Sequence, residues 1–281
     1  MRVIRSLVRM QKLAAAFKRE KKRIVLVPTM GALHEGHLAL VRRARKLGDI
    51  VVVSIFVNPS QFAVGEDLER YPRNPATDKR LLKREGVDIL FTPEADAIYP
   101  DDFDTYVVPG EIATRLEGAF RPTHFRGVAT VVLKLFNLVQ PDIAIFGCKD
   151  LQQTVVIRRM VADLNLPIRI VEIPTTRDRD GLALSSRNSY LSKQGRKRAR
   201  AIPAALLAAQ EKIASGERSA TKIRSLIKRR LLGVVAEVDY VSVAERHTLT
   251  ELKEISGEVA ISLACRIDGV RLIDNIILKV N

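Results

Sequence analysis

From residue 23 to about residue 173, short runs of β-branched residues alternate with longer stretches whose apolar positions recur every three or four residues. In one dimension this is the pattern of parallel βαβ units, with short buried strands and amphipathic helices following one another. It predicts strands over 24–28, 50–56, 89–92, 143–146 and 168–173, and helices over 36–47, 76–85, 127–139 and 151–164. In such sheets the connections are right-handed and ligands bind beyond the carboxyl ends of the strands, so chemistry is sought at those ends.

Beyond Pro174 the texture changes. The polar stretch TTRDRDGLALSSRNSYLS precedes two helical patterns, over 193–215 and 220–232, and then strand-like runs over 238–243, 259–266 and 270–278. Asp268 and Gly269 form a turn pair between the last two runs, which predicts a hairpin. The expected architecture is α/β. A Rossmann-like parallel sheet flanked by helices occupies 1–175, and a smaller C-terminal α+β domain occupies 176–281. At the N-terminus, Val3, Ile4, Leu7, Met10, Leu13, Ala14 and Phe17 recur at helical spacing and predict a first helix. The segment is Arg-rich and poor in acids, as transit peptides are, but it runs into the first strand without a spacer or cleavage site.

Composition adds exclusions. At 281 residues, 47% hydrophobic and 28% charged, the chain is in the ordinary globular range and long enough to bury a full core. No apolar run approaches the ~20 residues of a spanning helix, so no membrane role is expected. The 2 cysteines, Cys148 and Cys265, are far apart and outside any C-x-x-C pattern, which implies neither a disulfide framework nor structural zinc and fits a cytoplasmic setting. The formal charge of +15 raises a nucleic-acid role. Its Lys and Arg are scattered, and no Trp accompanies them to stack on bases, so they read as solvated helix faces.

The chemistry begins where the first predicted strand ends, in PTMGALHEGH. His34 and His37, spaced i and i+3, fall in the first turn of a helix, where unpaired N–H groups and the helix dipole favour an anion. The imidazoles can hydrogen-bond phosphate oxygens, and Gly36 leaves room for a flat base, which suits a nucleotide triphosphate. A zinc pair is the rival reading, but a zincin spaces its histidines H-E-x-x-H and needs a third ligand. A purely structural pair is the other alternative. Lys149, in FGCKD at the end of another strand, would neutralise phosphate charge; its alternative is an exposed helix-cap lysine. Cys148 has no histidine near in sequence to activate it as a nucleophile. In GLALSSRNSYLS, the hydroxyls of Ser185 and Ser186 and the guanidinium of Arg187 form a candidate phosphate clamp. The alternative is a helix N-cap, a task Ser192 serves better. Asn58 and Gln61, in SIFVNPSQF, offer neutral amides for a hydroxy acid, with Gln153 able to reach it too, although Asn-Pro is also a common turn signal.

PTMGALHEGH, SIFVNPSQF, ERYPRNP, RPTHFRGV, FGCKDLQQ, LSSRNSYL and the closing RLIDNI occur in the order and spacing of one family. The chain resembles the pantothenate synthetases, the pantoate and β-alanine ligases of the HIGH-motif nucleotidyltransferase superfamily. The resemblance implies ATP contacts from Met30, Gly31, Ala32, Leu33, His34, Glu35, Gly36 and His37, with His37 the proton donor. It further implies contacts from Gly147, Cys148, Lys149 and Asp150, from Thr176 to adenine through its backbone, and from Leu184, Ser185, Ser186 and Arg187. Gln61 and Gln153 would bracket pantoate, with Asn58 near the β-alanine entry. Asp78 matches a family carboxylate associated with the magnesium of Mg-ATP. Two positions depart from the family: Leu184 stands where many relatives carry Met, and Cys148 where an acid or amide is common. The implied reaction activates pantoate as an acyl-adenylate with loss of pyrophosphate, then lets β-alanine attack and release AMP. Because a mixed anhydride hydrolyses, the 176–281 domain is expected to act as a lid. Relatives form homodimers. A sister adenylyltransferase acting on a phosphorylated acceptor, or a basic nucleic-acid-binding protein, are the alternatives.

Overall fold

Residues 24–27, Ile-Val-Leu-Val, have no solvent exposure at all, so a strand made of them must be covered on both faces. The computed structural model, which describes residues 1–63 and 65–281, shows how. The strands and helices run β1 (Arg2–Ile4), α1 (Leu7–Arg19), β2 (Ile24–Thr29), α2 (Glu35–Arg45), β3 (Ile50–Ile55), α3 (Pro75–Arg84) and β4 (Ile89–Phe91). They continue with the short helices α4 (Ala95–Ile98) and α5 (Glu117–Phe120), then α6 (His124–Val139), β5 (Ile143–Gly147), α7 (Leu151–Asp163) and β6 (Arg169–Ile173). The six strands form one parallel sheet in the order β1-β4-β3-β2-β5-β6. Side chains alternate across it. Ile24 and Leu26 pack with α1 and α6 in one apolar cluster, whereas Val25 and Val27 pack with α2 and α3 in another.

The remainder comprises α8 (Lys193–Ala199), α9 (Ala201–Ala214), α10 (Ala220–Leu231), β7 (Glu237–Glu245), β8 (Gly257–Ile267) and β9 (Val270–Val280). The three strands form an antiparallel sheet in chain order, and Ile202, Leu206, Ile223 and Ile227 pack with its Ile261 and Leu263. The hairpin turns at Asp268 (φ 52°) and Gly269 (φ 74°), the left-handed pair that a two-residue turn demands. Clustering of contacts separates two units, Met1–Cys148 with Val156–Pro174 and Lys149–Val155 with Thr175–Asn281. Among the described residues no helix is long and apolar enough to cross a membrane.

Two predicted elements differ. Residues 2–4 are not helical; they add the parallel edge strand β1 beside β4, and the helix starts at Leu7 behind Ser6, whose Oγ accepts from the Arg9 N–H at 3.3 Å. The helix predicted over 193–215 is broken at Arg200. Pro203 has no N–H to offer the Ala199 carbonyl four residues earlier, so the ladder cannot run through.

Candidate active site

The order of strands along the sheet reverses between β2 and β5, which makes the crevice beyond their carboxyl ends the expected ligand position. β2 runs out through Thr29, whose hydroxyl donates to the Ser54 carbonyl at 2.8 Å. Gly31 (φ 84°) and Ala32 (φ 49°) then turn left-handed. A Cβ on Gly31 would also lie 3.0 Å from Ile55 and 3.1 Å from Asp78, so glycine is required twice over.

Asp78, on α3, holds this turn from below. Its Oδ2 accepts the Ala32 N–H at 3.0 Å and its Oδ1 the Leu33 N–H at 2.8 Å. Burial raises the carboxyl above its usual range against those two bonds, which favour the anion. Expected beside magnesium, Asp78 is thus engaged on both oxygens with the loop that follows β2. Among the described residues there is no group of three or more His, Cys, Asp or Glu that could hold a metal ion.

The turn delivers His34 to the N-cap of α2 in extended conformation and His37 to its third position, with ring centroids 4.1 Å apart. The His34 N–H donates to His37 Nδ1 at 3.3 Å. With Nδ1 accepting, a neutral His37 carries its hydrogen on Nε2. The side chain of Glu35 pairs with Arg42, so the first-turn contribution of Glu35, like that of Gly36, is its backbone N–H.

A second set of polar groups lies on the turn after β3. Asn58 is 1% exposed and Gln61 8%, unusually deep for neutral amides. Asn58 Nδ2 donates to Gln61 Oε1 and to the Gly127 carbonyl, both at 3.1 Å, and the Tyr99 hydroxyl lies 2.8 Å from Asn58 Oδ1. Gln61 Nε2 lies 3.1 Å from Met30 Sδ, which links this set to the loop after β2. The Gln61 carbonyl is held by His124 Nδ1 at 2.9 Å and by Arg121, whose guanidinium forks onto Glu66 at 2.6 Å on each oxygen. Because a carbonyl only accepts, His124 carries its hydrogen on Nδ1 and its Nε2 faces Arg121 at 3.2 Å. Burial, reinforced by that guanidinium, drops the His124 pKa from 6.5 to about 4. Burial alone would raise Glu66; the hydrogen bonds and charge of Arg121 leave it below the usual carboxylate range. Tyr99, Arg121, His124 and Gly127 were given no role by the residue patterns, although three of them stand in or beside the RPTHFRGV motif.

Gly147 ends β5, and Cys148 is buried beside it with its thiol 3.8 Å from Glu172 Oε2, a structural contact. The other predicted residues belong to the second unit. The Lys149 carbonyl accepts from Asn275 Nδ2 at 2.9 Å, and its ammonium stands 3.5 Å from Asp150. Gln153 is half-buried on α7, as are Leu184, Ser185, Ser186 and Arg187 on their loop. Ser185 Oγ accepts from the Arg187 N–H at 3.3 Å, so it caps a local turn, while Ser192 caps α8 through the Gly195 N–H at 2.9 Å. The Thr176 carbonyl accepts the Leu184 N–H at 3.0 Å, closing the base of the loop. Arg177 anchors that base on Asp274, whose side chain is 1% exposed, at 2.6 and 3.0 Å. Asp274 and Asn275, from the closing RLIDNI, therefore support both the loop and Lys149. The motif itself was the only signal of that role.

Comparison with known proteins converges on one family. A family model described as pantoate-beta-alanine ligase matches residues 2–277. Pantothenate synthetase 1 of Bradyrhizobium diazoefficiens is 50% identical over 99% of both chains, and the pantothenate synthetase of Heliobacterium modesticaldum is 49% identical over 100% of both. The crystal structure of pantothenate synthetase from Thermus thermophilus superimposes with a TM-score of 0.92 at 46% identity, covering 98% of this chain and 99% of that one. A pantoate-beta-alanine ligase from Francisella tularensis, crystallised in complex with beta-gamma ATP and beta-alanine, gives 0.81 at 34% identity over 98% and 97%.

Proposed function

The chain belongs to the pantoate-beta-alanine ligase family, and from that membership we propose how its residues divide the work. The protein is a ligase that forms the C–N bond between pantoate and β-alanine as ATP is cleaved to AMP and pyrophosphate. Pantoate carboxylate attacks the α-phosphorus, and the resulting pantoyl-adenylate is taken by the β-alanine amine. The observation that carries the residue assignment is the placement of His37 by the His34 N–H, 3.3 Å from its Nδ1. Its Nδ1 accepts from the N-cap backbone, which fixes the ring in the first turn of a helix whose N-terminus is disposed to anions.

In this reading His34 and His37 take ATP phosphate oxygens, and Met30 to Leu33, Glu35, Gly36 and Gly147 to Asp150 line the nucleotide. The second unit supplies Lys149 for charge that develops on the phosphates, Ser185, Ser186, Arg187 and Leu184 as a clamp, and Thr176 for adenine. Gln61 and Gln153 hold pantoate, with Asn58 near β-alanine. Mg2+ arrives as part of the substrate Mg-ATP, and Asp78 acts by holding the loop rather than as a built metal site. Water exclusion is the task assigned to residues 176–281, and the enzyme is read as a cytoplasmic homodimer.

The test is an assay for AMP. Formation must require both pantoate and β-alanine; a stable adenylylated product without β-alanine would point instead to a simple adenylyltransferase. His37→Ala and Lys149→Ala are each expected to lower turnover by more than about tenfold with circular dichroism unchanged. Full activity in either variant removes that residue from the site.

A further inference from the structure

Which end of the Gln61 amide faces its ligand is decided by an atom that cannot reverse its polarity. The Gly127 carbonyl only accepts, so the Asn58 atom 3.1 Å from it is the amide nitrogen. Asn58 Oδ1 then faces the Tyr99 oxygen at 2.8 Å, and the phenol must donate. Burial pushes that phenol up to about 12, so it remains a donor throughout the working range. The second hydrogen of Asn58 Nδ2 goes to Gln61 Oε1 at 3.1 Å. Nε2 is the other end of Gln61, one N–H toward Met30 Sδ at 3.1 Å and one more to give.

We propose that Tyr99 is a positioning residue of the pantoate subsite, which acts through Asn58 to hold Gln61 with its N–H groups toward the substrate. The ligand group seated there is consequently an acceptor, a carboxylate oxygen or a hydroxyl lone pair. An ammonium would meet N–H against N–H, so the relay keeps an amine end out of this place, a discrimination by polarity rather than size. The idea rests on the assignment of Gln61 to pantoate given above.

The relay is tested by Tyr99→Phe, which removes one hydroxyl and keeps the ring. Without that donor, Asn58 Oδ1 loses its partner and only the Gly127 carbonyl still fixes the amide, so Asn58 is held less firmly, and Gln61 with it. The expected result is a rise of about tenfold in KM for pantoate, with KM for ATP within about twofold. In a Gln61→Ala background the same change should add nothing, because the two residues act in one chain. Asn58→Asp, which has no hydrogen for Gln61 Oε1, is expected to exceed Tyr99→Phe in the same direction, and it decides the matter if Tyr99→Phe does not fold. An unchanged pantoate KM in Tyr99→Phe, equal shifts in all three substrates, or additivity with Gln61→Ala overturns the relay. If Gln61→Ala alone leaves pantoate KM unchanged, the failure lies with the Gln61 assignment, and the relay falls with it.

Discussion

Gly127→Ala is the substitution for which helix propensity and packing give opposite answers. Gly127 lies in the first turn of α6, where alanine should stabilise the isolated helix by up to about 1 kcal/mol. The structure reverses the sign. A Cβ built there would lie 2.2 Å from the Ser60 carbonyl oxygen, 2.5 Å from its carbon and 2.6 Å from the Gln61 nitrogen. All three are backbone atoms, so no rotamer change relieves the clash, and α6 must retreat from the turn by about 1 Å to reach ordinary contact. Overpacking of this kind costs about 1–3 kcal/mol, and the retreat stretches the Asn58 bond to the Gly127 carbonyl. We expect a net loss of about 2 kcal/mol together with a higher pantoate KM. Gly195→Ala is the control. Its Cβ meets the Asp268 Oδ2 at 1.9 Å and Cγ at 2.8 Å, a side chain that can turn aside by giving up its bonds to Ser192 and Arg198, so the loss should be smaller, about 1 kcal/mol. Urea midpoints followed by circular dichroism, at unchanged slope, compare the two with the parent protein. A Gly127→Ala protein as stable as the parent, with unaltered pantoate KM, would refute the packing argument.

Two further outcomes are expected. His124 stays neutral when folded down to about 4, whereas the unfolded chain takes up its proton near 6.5. Its contribution, about 3 kcal/mol, is therefore full above 6.5 and is lost as pH falls toward 4; His124→Asn, which keeps a donor for the Gln61 carbonyl but cannot titrate, should flatten that part of the stability profile, and an identical profile would contradict the assignment. Asp78→Asn turns an NH2 group toward one of the two loop N–H groups, so stability should fall by about 1–3 kcal/mol and ATP KM should rise more than pantoate KM. Extra Mg2+ should not restore it, whereas rescue by Mg2+ would return Asp78 to a metal role.

The core strands were legible because burial on both faces leaves a visible mark: 24–27 and 51–53 are apolar without interruption, rich in β-branched residues and too short for a helix. β1 was not legible. Three residues are too few to show a period, and Arg2–Ile4 is a strand only because the edge of β4 is there to pair with it. The break at Arg200 was present in the chain as Pro203 but was masked by the apolar residues of Ala201–Ala214, which keep helical spacing beyond it. His34 and His37 announced themselves, since both their spacing and the strand that precedes them are local. Asp78, Tyr99 and His124 did not, because their partners lie 41 to 63 positions away and a hydrogen bond leaves no periodicity behind.

The amino-acid sequence alone thus determined which segments could be buried strands and where an anion would find free N–H groups, since both follow from neighbours along the chain. Tertiary structure decided which nitrogen of His124 and which end of Gln61 carries the hydrogens. Those polarities are inherited from fixed backbone carbonyls, and only folding brings a carbonyl within reach of a remote side chain.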